Sequence, residues 1–209
     1  MRQESRPGAG ENPAEFREAV TALRAARLRP EVFCEEMPAP QRIAPYSAAL
    51  SADVSLDEEE VGTGRIILLH DPDGVEAWDG TFRCVAYVRC DVDADWAADP
   101  LLSEVGWSWL IDALAGHGAE HTAASGTVTR VCSESFGGMV DDPATAQIEI
   151  RASWTPVPVE GAPGVGVRPD IAAHVEAWGE LLCTAAGLEP VPEGVTAMPS
   201  RRGQRGPGA

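Results

Sequence analysis

Apolar residues recur along this chain at two periods, and the switches between them mark out the elements. Phe16, Val20, Leu23 and Arg27 lie along one face of a 3.6-residue repeat with Ala19 and Ala26 beside it, which predicts a first helix. Asn12-Pro13-Ala14-Glu15 opens that helix with Asn as N-cap, Pro at N1 and Glu at N3, and Pro30 stops it. A connector punctuated by Pro38, Pro40 and Pro45 follows. Tyr46, Ala48, Leu50, Ala52 and Val54 then alternate with Ser47, Ser51 and Asp53, the period of a half-buried strand. Beyond the acidic loop 57–60, residues 65–70 (RIILLH) read as a second strand. Asp71-Pro72-Asp73-Gly74 and Asp79-Gly80 read as turns. A third strand places Phe82, Cys84, Ala86, Val88 and Cys90 on one face and Arg83, Val85, Tyr87 and Arg89 on the other.

Asp99-Pro100 caps a second helix, whose broad stripe runs from Leu102 to Leu114 before Gly116 and Gly118 end it. Residues 127–134 predict a fourth strand. A fifth alternates Ala146, Ile148, Ile150, Ala152 and Trp154 with Gln147, Glu149 and Arg151. The stretch FGGMVDDPA between them has the Gly and Pro of a long hairpin connection. A Gly/Pro/Val-rich crossover at 156–168 reaches a last helix from Pro169, with Ile171, Val175, Trp178 and Leu182 on one face and Gly187 past its end. The order α-βββ-α-ββ-α predicts an α+β domain at 12–189. Its five-stranded, mainly antiparallel sheet carries helices on one face or at the ends.

That element order is similar to the fold of type III secretion chaperones and their YbjN-like relatives, which are small, acidic and typically dimeric. The likeness is one of topology, without a shared motif. A second resemblance lies in the residues themselves. FREAVTALR (16–24), PAPQRIAPYS (38–47), LLHDPDG (68–74), WDGTFRCVAYVR (78–89), DPLLSEVGWSWLIDAL (99–114), SGTVTRV (125–131) and SFGG (135–138) resemble an uncharacterised family of small proteins from high-GC Gram-positive bacteria, a domain of unknown function. It implies kinship over about residues 13–187 and brings no activity or site with it.

Charge narrows the classes of function. Sixteen cations, all Arg, stand against 33 acids, a formal −17. Residues 12–189 hold 11 of the Arg and 30 of the acids, so the expected domain is more acidic than the whole chain. A field of this sign repels phosphate backbones and anionic lipid headgroups, which argues against nucleic-acid and membrane partners. Residues 1–11 and 190–209, polar and rich in Pro, Gly and Arg, read as disordered tails. The N-terminus has no apolar signal core and no stretch reaches membrane-spanning length. Cys34, Cys84, Cys90, Cys132 and Cys183 have no CxxC spacing and read as reduced thiols. A cytoplasmic location is expected.

Candidate chemistry is sparse. Asp71, Asp73, Glu76 and Asp79 are oxygen ligands in a short stretch, but the EF-hand order is absent and two Asp/Gly turns explain them. His117 and His121 have the spacing of paired zinc ligands, yet Gly116 and Gly118 break the helix there. No metal or cofactor is expected. There is no GxSxG elbow, no P-loop and no GxGxxG, so no catalytic residue is assigned and an enzyme is disfavoured.

The one electrostatic feature is Arg83, Arg89, Arg130 and Arg151, all on predicted strands. Together with Tyr87, and with Ser133 and Ser135 of the SESFGG loop, they are the candidate ligand-binding residues for an anion. Cross-strand pairing with Glu149, Glu134 and Asp91 is the plainer account of the same arginines. Trp96 and Trp107 fit the core pattern less well than the other tryptophans and are the candidate interface residues. The expected function is that of a non-enzymatic, protein-binding adaptor or chaperone-like protein, whose partners include a second copy of itself. The alternative is a small-molecule anion binder or enzyme using the Arg-bearing sheet face.

Overall fold

The computed structural model describes residues 12–57, 59–160 and 167–190. The tails expected at 1–11 and 190–209 lie outside these residues, Pro190 excepted, as does part of the crossover.

Helix α1 (Ala14–Ala25) leads into strands β1 (Val32–Met37), β2 (Tyr46–Leu56), β3 (Glu59–Val75) and β4 (Gly80–Val92). Helices α2 (Ala94–Ala98) and α3 (Leu102–Gly116) connect to β5 (His121–Ser133) and β6 (Thr145–Pro156). A small ribbon of β7 (Pro158–Val159) and β8 (Arg168–Pro169) precedes α4 (Ile171–Ala185). The main sheet has the order β1-β2-β3-β4-β6-β5 and every pairing is antiparallel. Because β6 lies between β4 and β5, those two run parallel, and the helical connection between them forms a split β-α-β unit.

The α+β class and the antiparallel sheet agree with the pattern, but the main sheet has six strands where five are expected. The extra strand, β1, falls in the segment read as a connector. It is an edge strand with only Val32 buried and Cys34 half-buried, so its alternation is too weak to stand out. Strand β3 runs on to Val75 past the expected turn, which survives as an irregularity between His70 and Val75 with Gly74 at φ +76° and Asp79 at φ +55°. At α1, Pro13 takes the N-cap place and no side chain caps the helix, one residue off the expected box. At α4, Asp170 Oδ1 accepts from the Ala173 amide, and Gly187 follows the end at φ +78°.

All the long helices lie on one face. Val54, Ile66, Leu68, Ala86, Val88, Ile148, Ile150 and Trp154 point from the sheet into the same core as Phe16, Leu110, Leu114, Trp178 and Leu182. Helix α4 is buried around most of its circumference, because it packs on β3, β4 and β6 and also against α1 and α3. Close approach is paid for in side-chain volume. A Cβ at Gly106 of α3 would stand 3.0 Å from Ile148 Cδ1 and 3.3 Å from Val128 Cγ1.

Gly126 of β5 is tighter still. A Cβ there would meet the Arg151 carbonyl, and would come within 2.8 Å of Trp107 and 3.0 Å of the Ala152 Cα. Two of those neighbours are backbone and cannot rotate away. Gly126→Ala is therefore expected to destabilise the protein by about 1–3 kcal/mol. An unchanged midpoint in urea denaturation would show that β5 yields at this point.

Candidate functional site

Among the described residues no long helix covers the middle of the opposite face of the sheet, and alternation puts every second residue of each strand there. Register then aligns these residues across strands. One row runs Ser51, Arg65, Tyr87, Arg151, Thr127; the next runs Ala49, Ile67, Val85, Ser153, Ser125. Together their central members form a shallow depression of about 690 Å³.

Arg151 closes one side. Its guanidinium sits 5.3 Å from the centre of the Tyr87 ring and its Nη2 lies 2.7 Å from Glu149 Oε2. Tyr87 Oη donates to Glu149 Oε1 at 3.3 Å, and burial together with that carboxylate pushes its phenol up. On the opposite side Arg65 has no hydrogen-bond or ion-pair partner among the described residues. Arg89, one row away, donates to Gln147 Oε1 at 3.0 Å.

Arg83 lies on the same face one row beyond the depression and is only 7% exposed. Its Nη1 donates to Thr155 Oγ1 at 3.0 Å. Its Nη2 donates to Ser153 Oγ at 2.7 Å, to the Ser153 carbonyl at 3.2 Å and to Ser125 Oγ at 3.3 Å. No carboxylate among the described residues pairs with it, and burial pulls its guanidinium below the usual value.

The four arginines singled out by the sequence do not converge. Arg83, Arg89 and Arg151 share the open face. Arg130 projects to the helix side, where its Nη1 donates to the Ala97 and Asp99 carbonyls at 2.8 and 2.6 Å. Register explains the split: Arg130 pairs with core-facing Ile148. Ser133 ends β5 and Ser135 lies in the following loop; neither lines the depression. Arg65 is the residue that pattern reading missed. It heads the run Ile66-Ile67-Leu68-Leu69, where continuous apolarity hides which face each residue takes.

The outer edge formed by β5 is a second feature. It is 13 residues long against six for β1. From Ser125 to Ser133 it has one charge, Arg130, already held by α2, whereas β1 carries Glu35 and Glu36. Edge strands are ordinarily protected by charge, brevity, Pro or bulges, and β5 has only Arg130 and a bulge at Thr122/Ser125. Both tryptophans singled out by the sequence flank it. Trp107 lies over Gly126, and Trp96, 57% exposed, stands on α2, which packs against β5 and β6. Leu101 and Val105 at the start of α3 are exposed too, as are Phe136, Met139 and Val140 in the loop leaving β5.

The histidines and cysteines are placed structurally. His70 is wholly buried, stacked 4.2 Å from the Phe82 ring, with Nδ1 donating to the Thr81 carbonyl at 3.0 Å. Its Nε2 is 3.0 Å from Glu15 Oε1 but out of hydrogen-bonding alignment. The neighbouring cavity of about 670 Å³ is bordered by Glu15, Glu18, Asp79 and Arg168; His70 does not line it. His117 ends α3 and His121 begins β5, so they share no helical face. No cluster of three His, Cys, Asp or Glu suited to a metal occurs among the described residues. All five thiols are free, and burial pushes Cys84, Cys90 and Cys183 up to about 12, far from a reactive thiolate.

No helix among the described residues is long and apolar enough to cross a membrane. A protein-family model described as a protein of unknown function, DUF3000, matches residues 12–196. No curated protein and no solved structure matches the chain.

Proposed function

The chain belongs to the DUF3000 family, a protein family of unknown function, and from its surface we propose a non-enzymatic protein-binding adaptor that self-associates through β5. The observation that carries this reading is the long edge of β5, unprotected by charge and flanked by exposed Trp96, Leu101, Phe136 and Met139.

An unpaired edge offers a row of free N–H and C=O groups that a second strand satisfies. Two copies of β5 brought together antiparallel about a two-fold axis would form one continuous sheet with a self-complementary interface. Charge favours this edge over the rest of the surface. A body at −17 repels its own copies, and the 125–133 strip contains no acid. The like-charge penalty is therefore smallest here. The exposed apolar side chains beside the strand would add buried area to the backbone pairing. Nothing in this arrangement calls for a nucleophile or an acid/base pair.

Light scattering during size-exclusion chromatography tests the reading. The wild-type protein is expected to run as a dimer and Thr129→Lys/Val131→Lys as a monomer with an unaltered far-ultraviolet circular dichroism spectrum, because both side chains are exposed on the edge. A wild-type protein that stays monomeric at high micromolar concentration sinks the self-association.

A further inference from the structure

We propose that the depression on the open sheet face, between Arg65 and Arg151, is a binding site for a small organic anion: a carboxylate or phosphate carried on an apolar or planar body. This inference does not depend on the β5 edge.

Three features select a negative head group. The first is composition. Thirty acids lie in residues 12–189, yet the residues lining the depression include no Asp or Glu and two Arg. The acid nearest to them in role, Glu149, sits one row away and engages Arg151 and Tyr87 from that side.

The second feature is the state of the cations. Arg65 has no partner among the described residues, and it faces Arg151 across Tyr87 with the two backbones about 10 Å apart. Side chains of that length can close on one anion from both sides, and a guanidinium fork matches carboxylate and phosphate oxygens.

The third feature is the buried cation beside the depression, one row along the same face. Ser153 and Ser125 each spend an oxygen lone pair on Arg83, so their protons point away from it. The two hydroxyl oxygens are 3.5 Å apart, close enough for one proton to be shared between them. At least one is then left to donate into the depression. A buried charge ordinarily has a counter-charge, and Arg83 has none among the described residues. An anion held over Ser125 and Ser153 would supply it through the hydroxyls.

The rest of the lining selects the body. Ile67 and Val85 form an apolar floor, and the Tyr87 ring offers a flat wall.

The test is isothermal titration calorimetry of the full chain with phenyl phosphate, benzoate, inorganic phosphate and benzyl alcohol. At least one of phenyl phosphate and benzoate is expected to bind at one site per chain, and which of them binds identifies the head group. Inorganic phosphate and benzyl alcohol, each lacking half of the recognised chemistry, are expected to bind roughly tenfold more weakly or not at all. Arg65→Gln and Arg151→Gln are each expected to weaken binding roughly tenfold. Arg89→Gln, outside the depression, should leave it unchanged. Both lining arginines are exposed, so unaltered circular dichroism is expected and confirms that the fold is kept. The proposal fails if neither aryl anion binds, if inorganic phosphate binds as well as they do, or if Arg89→Gln weakens binding as much as Arg65→Gln.

Discussion

Trp154→Ala is expected to destabilise the protein by about 3–5 kcal/mol. Trp154 has no exposed surface and stands on β6, the strand joined to both β4 and β5. Its indole fills the space between the sheet and α4, so truncation leaves a cavity whose walls are two regular elements that cannot collapse into it. A polar loss accompanies the apolar one. Trp154 Nε1 donates to His174 Nδ1 at 3.1 Å, and both side chains are buried. The alanine variant strands that ring nitrogen without a donor, which adds a desolvation penalty to the cavity. Urea denaturation followed by far-ultraviolet circular dichroism measures the total, and Trp154→Phe separates the terms by keeping most of the volume and losing the N–H. A loss below about 1 kcal/mol for the alanine variant would mean that α4 settles onto the sheet without the indole.

The same pair makes the fold sensitive to acid. An indole N–H can only donate, so His174 Nδ1 accepts and the ring is neutral. Burial holds its pKa down to about 4, His121 acts in the same direction, and Asp170 opposes them. The unfolded chain protonates near the ordinary histidine value of about 6.5. The folded pKa is thus the lower of the two, and the unfolded state binds the proton first as pH falls. The stability contributed by neutral His174 is fully present above about pH 6.5, drains away between 6.5 and 4, and is gone below 4. The difference corresponds to about 3 kcal/mol. Urea midpoints across this window are expected to fall more steeply for the wild type than for His174→Gln, which keeps an acceptor for Trp154 but does not titrate. Parallel curves for the two proteins would show that the imidazole protonates without breaking the contact.

How much of this was legible in the sequence varies from element to element. The strands β2, β4 and β6 and the helices α1, α3 and α4 show in the spacing of apolar residues, because a face turned to the core leaves its period in the chain whatever it packs against. Edge strand β1, with one face barely buried, leaves no such mark. On the open face, Arg83, Tyr87, Arg89 and Arg151 were visible because they alternate with core residues in strongly patterned strands. Arg130 was not assignable to a face, since Thr127, Thr129 and Val131 differ too little in polarity from Val128, Arg130 and Cys132. Arg65 was hidden by a continuous apolar run. Ser125 and Ser153 give no signal in the sequence, because a serine in a strand is unremarkable until register places it beside a buried guanidinium.

What the chain alone determined is therefore local: which of the well-buried segments are helix or strand, the antiparallel α+β class, and the acidic balance that weighs against anionic polymers as partners. Each follows from backbone preference, side-chain period or summed charge, none of which needs a contact between distant residues. The tertiary structure decided the rest. Strand order made β5 an edge, register set Arg65 and Arg151 about Tyr87, and the packing of α4 brought His174 to Trp154. These are relations between segments far apart in sequence, fixed by how several elements share one core, and no single segment carries a sign of them.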